Sequence, residues 1–237
     1  MLSIVLPCYN EKDNLNFLFK SIDPLVLQNI NIEIILVDNG STDGSKAIFE
    51  EEIKQRNTNI FKLVTVDTNL GYGHGILCGL RAAKGDVLAI THADRQTDPM
   101  DVIKALSIYE KHNESYLLVK GYRKNRRLGE AFFSYGMALF SSIVLGERLT
   151  EVNAQPKLFS KAFFDTIEEQ APMDFSLDLY LLYRAKKIGK IESFPVFFAK
   201  RVAGEAKGGS GSSFKTRYKL IKRILKYTFD LRKKVKA

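Results

Sequence analysis

The sequence predicts an α/β fold built on a mostly parallel, doubly wound sheet. Three observations carry that expectation. Short apolar runs alternate with segments of helical periodicity, the runs stop abruptly in polar residues, and helix-start signals follow those stops. Runs 2–7, 32–38, 60–66, 86–92 and 115–121 read as strands. Segments 11–22, 43–56, 74–84 and 99–111 read as the helices between them. Ser41-Thr42-Asp43 supplies a cap for one helix, and Asp98-Pro99 places a cap before a proline suited to a first turn.

At 237 residues and 45% hydrophobic content, the chain has enough apolar material for one large domain or one domain with an appendage. Cys8 and Cys78 lie far apart in apolar surroundings, which argues against a disulfide framework and for a reducing cytosol. Met1 leads straight into a strand, so no signal peptide is expected. No apolar run reaches the roughly 20 residues of a membrane-spanning helix.

The net charge of +9 is concentrated at one end. Residues 214–237 hold ten Lys/Arg and one Asp, and the preceding 213 residues hold 26 basic and 26 acidic groups. A neutral body with a basic tail excludes the broad cationic footprint of a nucleic-acid-binding fold. Gly208–Ser213 is a Gly/Ser stretch, which sets the expected boundaries: a catalytic domain over 1–207, a flexible loop over 208–213 and a basic helix over 214–237. On a helical wheel Phe214, Tyr218, Ile221, Ile224, Leu225 and Leu231 share one face. Lys215, Lys219, Lys222, Arg223, Lys226 and Lys233 form the other. That is the pattern of a membrane-surface helix, or of a helix packed on the body with a solvated outer face. Residues 131–146 carry no charge and read as a core helix or one apposed to lipid.

The chemistry is expected at the strand ends. The first strand ends in Pro7, Tyr9 and Glu11, the second in Asp38, and the fourth in His92-Ala93-Asp94-Arg95-Gln96. Polar groups converging at the carboxyl edge of such a sheet describe a nucleotide site. Carboxylates there can accept from a base or ribose, and Asp94 with a divalent cation can clamp a diphosphate. Gly71-Tyr-Gly-His-Gly75 lacks the third glycine of a dinucleotide fingerprint, so that reading is disfavoured and His74 reads as a helix-start residue.

The combination of LPCYNE, ILVDNGSTDGS, Asn69-Leu-Gly71, Ala83-Lys-Gly-Asp86 and HADRQ resembles the family 2 glycosyltransferases of the GT-A fold. Within them it is most similar to polyprenyl-phosphate sugar transferases of the dolichol-phosphate mannose or glucose synthase type. Gln155–Ser160, Phe175–Gly189 and Arg201-Val-Ala-Gly-Glu-Ala-Lys207 resemble later motifs of that group, with Ala206 where the group has Ser. The resemblance implies a GT-A sheet and an inverting transfer from a UDP- or GDP-sugar to a lipid-linked acceptor. It implies nucleotide contacts from Pro7, Tyr9, Glu11, Asp38, Ala93 and Asp94, and phosphate-stabilising charge from Arg123, Arg201 and Lys207. It also implies Mg²⁺ or Mn²⁺ near Asp94 and Gln96.

His92 departs from the family's D-x-D. Three readings compete: it ligates the metal, it stands behind Asp94 and Gln96, or it marks a metal-independent enzyme whose Arg and Lys neutralise the diphosphate. A phosphate acceptor needs no general base, whereas a sugar hydroxyl needs a carboxylate such as Asp174 or Asp178. Transfer to a saccharide hydroxyl and non-catalytic nucleotide-sugar binding therefore stand as alternatives. The expected setting is the inner face of the cytoplasmic membrane, with an anionic membrane surface as partner and a homo-oligomer conceivable.

Overall fold

The computed structural model describes residues 1–237 except 29, 94–95, 113, 126–127, 200–213 and 237. The first half alternates as the sequence predicts: β1 (Leu2–Cys8), α1 (Lys12–Val26), β2 (Ile32–Asp38), α2 (Ser45–Arg56), β3 (Phe61–Thr65), α3 (Tyr72–Ala82), β4 (Val87–Ile90) and α4 (Asp101–Tyr109). The second half contributes β5 (Leu117–Lys124), α5 (Leu128–Leu145), β6 (Lys157–Ser160), α6 (Lys161–Ile167), α7 (Leu177–Ile188), β7 (Lys190–Phe197) and α8 (Phe214–Lys236).

The seven strands form one sheet in the order β3-β2-β1-β4-β6-β5-β7. All neighbours are parallel except β6, which runs antiparallel to both β4 and β5. The carboxyl ends of β1, β2, β4, β5 and β7 therefore share one edge. The strand order reverses between β1 and β4, and such a switch point opens a crevice for ligand at that edge.

Alternation along each strand fills two cores, one on each face of the sheet. Ile4, Leu6, Ile34 and Leu36 pack with Leu15, Phe19 and Phe49 on the side of α1, α2 and α4. Val5, Ile35, Val37 and Ile90 pack with Ile76, Leu80, Leu181 and Tyr183 on the side of α3 and α7.

The element boundaries shift where side chains intervene. The second helix begins at Ser45 rather than 43, because Asp43 acts from outside it. One carboxylate oxygen of Asp43 accepts from the Ser45 N–H at 3.0 Å, and the other accepts from the Lys12 N–H at 3.0 Å, which ties the starts of α1 and α2 together. β5 runs on to Lys124 because β7 pairs with it over its whole length.

The tail helix follows the packed alternative in its inner side chains. Ile224 and Tyr227 pack, partly buried, against the α3/α7-side core, while Thr228 and Leu231 are buried. Phe229 meets Phe140 of α5 edge-on at 5.6 Å. Tyr218, expected on the apolar face, is 61% exposed, whereas Tyr227 is partly buried. No helix among the described residues is long and apolar enough to cross a membrane.

Candidate active site

The first two strands, paired in parallel, bring the first set of polar groups together. β1 and β2 are in register, with Cys8 opposite Asp38. The segments after them clasp: the Asn10 N–H donates to Ser41 Oγ at 3.0 Å, and the Thr42 N–H donates to Asn10 Oδ1 at 2.7 Å. Asn10 takes a positive φ of 51°, a conformation its short polar side chain tolerates. Asp38 is buried and accepts from the Ser41 N–H at 3.0 Å, so its carboxylate is fixed by the turn it begins. Pro7, Tyr9 and Glu11 are half-buried along the same rim. One oxygen of Glu11 accepts from Asn14 Nδ2 at 2.5 Å.

β4 supplies the second set. Val5 lies opposite Ile90, and the Thr91 N–H donates to the Val5 carbonyl at 3.1 Å. The turn that follows thus leaves β4 directly beside Pro7. His92 and Gln96 are half-buried there and Ala93 is buried. Asp94 lies outside the described residues, as do Arg201 and Lys207. The hydroxyls of Thr91 and Thr97, at either end of this turn, are buried without a hydrogen-bond partner among the described residues. No group of three His, Cys, Asp or Glu side chains suited to a metal occurs among the described residues. The chain leaving β7 joins this turn, since the Ala199 N–H donates to the Gln96 carbonyl at 2.9 Å.

β5 and β6 supply a cationic flank. Arg123 Nε donates to Glu151 at 2.7 Å, and its guanidinium carbon stands 5.4 Å from the centre of the Phe198 ring. Arg123 Nη2 is buried without a partner among the described residues. Lys120 and Lys157 are register partners on neighbouring strands, so both ammonium groups point to the α7 side. Lys157 is fully buried and meets Asp178 at 2.5 Å. Gln155 Nε2 donates to the same Asp178 oxygen at 3.2 Å. Lys120 Nζ donates to the Thr150 carbonyl at 2.8 Å. Burial, reinforced by the charge on Lys157, pulls the Lys120 ammonium down to about 7. Burial likewise pulls Lys157 down, against the pull of Asp178.

Asp178 is therefore part of a buried ion pair on the first turn of α7. Asp174, the other acidic residue read from the sequence, accepts from the Ser176 N–H at 2.8 Å and faces Arg223 of α8 at 3.6 Å. Sequence reasoning missed Lys120 and Glu151, and read Gln155 and Lys157 only as part of the Gln155–Ser160 motif, with no role of their own. The signal was present: a lysine inside each of the apolar runs LLVKGY and PKLFS requires an acidic or carbonyl partner from elsewhere in the fold.

The glycines before α3 serve close packing. Gly71 takes a φ of 136°, and a Cβ there would stand 2.6 Å from the Met173 carbonyl oxygen. A Cβ on Gly73 would stand 2.5 Å from the Pro172 carbonyl oxygen. Their absence lets the start of α3 approach segment 172–174. Tyr72 stacks on Phe175 at 4.8 Å with rings 4° from parallel, and its hydroxyl lies 3.4 Å from Gln155 Nε2.

This architecture is shared with solved structures. Glucosyl-3-phosphoglycerate synthase from Mycobacterium tuberculosis, in complex with Mn²⁺, uridine diphosphate and phosphoglyceric acid, superposes with a TM-score of 0.73 at 18% identity, covering 98% of this chain and 78% of that one. The same enzyme with Mg²⁺ and uridine diphosphate gives 0.70 at 17% identity, covering 98% and 79%. These likenesses establish the GT-A fold. Among curated proteins, the dolichol-phosphate mannosyltransferase of Pyrococcus furiosus is 26% identical over 212 residues, which is 87% of this chain and 58% of that protein. The undecaprenyl-phosphate 4-deoxy-4-formamido-L-arabinose transferase of Pseudomonas savastanoi pv. phaseolicola is 32% identical over 127 residues, which is 53% of this chain and 36% of that protein. The chain thus spans between about a third and three-fifths of the length of these relatives. Residues 3–169 match the model of glycosyl transferase family 2, and the chain belongs to that family.

Proposed function

We propose that this protein transfers a glycosyl group from a nucleoside-diphosphate sugar to a polyprenyl phosphate, with inversion at the anomeric carbon, at the anionic inner face of the cytoplasmic membrane. The observation that carries the acceptor is the state of the carboxylates on the cationic flank. Glu151 is bound to Arg123, Asp178 to Lys157, and Asp174 to the Ser176 N–H and Arg223. A hydroxyl acceptor needs a free carboxylate base, whereas a phosphate monoester, with a second pKa near 6, is already a nucleophile at neutral pH. The relatives named for dolichol and undecaprenyl phosphates support the same acceptor class.

In this reading Pro7, Tyr9, Glu11, Asp38 and Ala93 line the nucleoside end of the donor. The donor set on the β4 turn fits a divalent cation: the sequence carries a carboxylate at Asp94 and a carboxamide at Gln96, with the His92 imidazole beside them. Asp94 and Gln96 would hold the ion, and His92 would stand behind them and orient the turn. Such an ion, bound in related structures as Mn²⁺ or Mg²⁺ with uridine diphosphate, offsets charge on a diphosphate leaving group.

An oxygen of the acceptor phosphate forms the new bond to the anomeric carbon as the bond to the diphosphate breaks, and the electron pair leaves with the nucleoside diphosphate. Arg123, Arg201 and Lys207 stabilise the phosphate charge on both sides of that step. Asp178 acts as a positioning residue through Lys157 and Gln155.

The test is a transfer assay with labelled UDP- and GDP-sugars, undecaprenyl phosphate, and Mn²⁺ or Mg²⁺. Label should enter the solvent-extractable lipid fraction and remain in the donor when EDTA is added. Label found only on saccharide hydroxyls would overturn the acceptor assignment. A panel of nucleotide sugars that leaves the melting temperature unmoved would overturn the donor assignment.

A further inference from the structure

We infer that the outer face of α5, not the apolar side of α8, is the surface that meets lipid, and that its occupant is an anionic bilayer. Much of the apolar side of α8 is already in use. Ile224 and Tyr227 are partly buried against the core and Leu231 is buried, while Phe229, edge-on to Phe140, stays 49% exposed and Tyr218 61%. The side chains that α8 packs on the body are not available to a membrane.

α5 presents the opposite case. Its inner side chains Ala138, Ser141, Val144 and Leu145 are buried. Its outer side chains are also apolar: Phe132 is 75% exposed, Tyr135 68%, Leu139 49% and Ile143 71%. Their spacing of three, four and four residues sets them in one stripe, about 16 Å long at 1.5 Å per residue. A helix that is apolar all round belongs in a core or against lipid, and this one has only its inner half in the core. The stripe combines two aromatic rings with two aliphatic side chains, the composition of an interfacial helix.

Charge identifies the occupant. α8 lies alongside α5, and Arg232 borders the same groove as Ile143, a cavity of about 270 Å³ that Tyr183 and Lys187 also line. Lys219, Lys222, Lys226, Lys233 and Lys234 are exposed, and Asp230 is the one acidic residue of α8. A second copy of the chain would set this cationic helix against itself. A neutral apolar partner would leave the lysines without counter-charges. An anionic leaflet accepts the apolar stripe and attracts the lysines in a single docking event. The inference deepens the lipid-acceptor reading, because it supplies the surface on which a polyprenyl phosphate would be met.

The test is flotation of the full chain on vesicles of phosphatidylcholine, alone or mixed with phosphatidylglycerol. Wild-type protein should float with the anionic vesicles, and salt should weaken the binding. Lys222→Gln, Lys226→Gln and Lys233→Gln should each lower affinity about fivefold. Leu139→Glu with Ile143→Glu should lower it roughly tenfold or more on both kinds of vesicle. Should that pair disturb folding, as judged by its thermal unfolding, Phe132→Ser with Tyr135→Ser addresses the same stripe with a gentler change. Stripe variants that float as well as wild type would overturn the inference. So would a wild-type dimer in solution that the stripe variants convert to monomer, which would assign the stripe to a second copy. Vesicle binding requires no sugar donor, so flotation through α5 supports the docking face even where no transfer is found. A protein that glycosylates a water-soluble, short-chain prenyl phosphate yet ignores vesicles overturns the docking face and leaves the transfer reading intact.

Discussion

In the proposed metal site, His92 sets an imidazole two residues before the Asp94 carboxylate, a borderline nitrogen donor beside a hard oxygen one. Imidazole suits Mn²⁺ better than Mg²⁺, and a side chain that orients metal ligands commonly changes metal affinity 10- to 100-fold when replaced. With His92 standing behind the ligands, His92→Ala is expected to weaken Mn²⁺ and Mg²⁺ binding alike by about tenfold. Calorimetric titration of each metal in the presence of UDP checks this without requiring turnover, and unchanged affinities for both would remove His92 from the metal site.

At this scale the positions of the strand-end residues were legible, because an apolar run that stops in a polar cluster reads as a strand reaching an edge. Pro7, Tyr9, Glu11, Asp38 and His92 do lie at the ends of β1, β2 and β4. The partners of Lys120 and Lys157 were not legible, because the groups that satisfy them lie 21 to 31 residues away and meet them only through the fold.

Between elements, the Lys157–Asp178 pair joins β6 to the first turn of α7. It sits under the same edge that carries the turn after β4, since Lys157 lies opposite Ile90. Removing one member strands the other charge in a dry interior. Asp178→Ala should thus lower unfolding stability by about 3–5 kcal/mol, whereas the double change Lys157→Met with Asp178→Leu should return to within about 1 kcal/mol of wild type. Denaturant melts of the single and double variants check this. If the network positions the site, the double variant recovers stability while kcat stays depressed. Full recovery of both would make the pair purely structural.

The elements from β1 to α4 were predicted to within about four residues of their ends. β6 and β7 were not predicted. β6 is only four residues long and runs against its neighbours, and KIESFPVF interrupts alternation with a proline that only an edge strand tolerates.

Across the whole molecule, the basic tail is part of the folded body at one face and a charged surface at the other. Removing residues 214–237 would expose the core around Ile224, Tyr227 and Leu231, each large apolar side chain contributing about 1.5–3 kcal/mol where fully buried. The truncated chain is expected to melt several degrees lower and to aggregate. Differential scanning calorimetry with light scattering checks this, and an unchanged melting temperature would show that α8 is dispensable to the core. Charge substitutions on its outer face, in contrast, should leave the melting temperature unmoved.

The sequence by itself determined the alternating α/β order, the polar strand ends on which the proposed site rests and the segregation of positive charge into the last 24 residues. Each of these is written in local periodicity or composition, which needs no distant partner to be read. Only the tertiary structure decided that the strand order reverses between β1 and β4, that Asp178 is committed to Lys157, and that α8 spends its apolar side on the body while α5 leaves a stripe bare. Amphipathic periodicity says that a helix has an apolar face, but what covers that face depends on which surfaces the rest of the chain brings beside it.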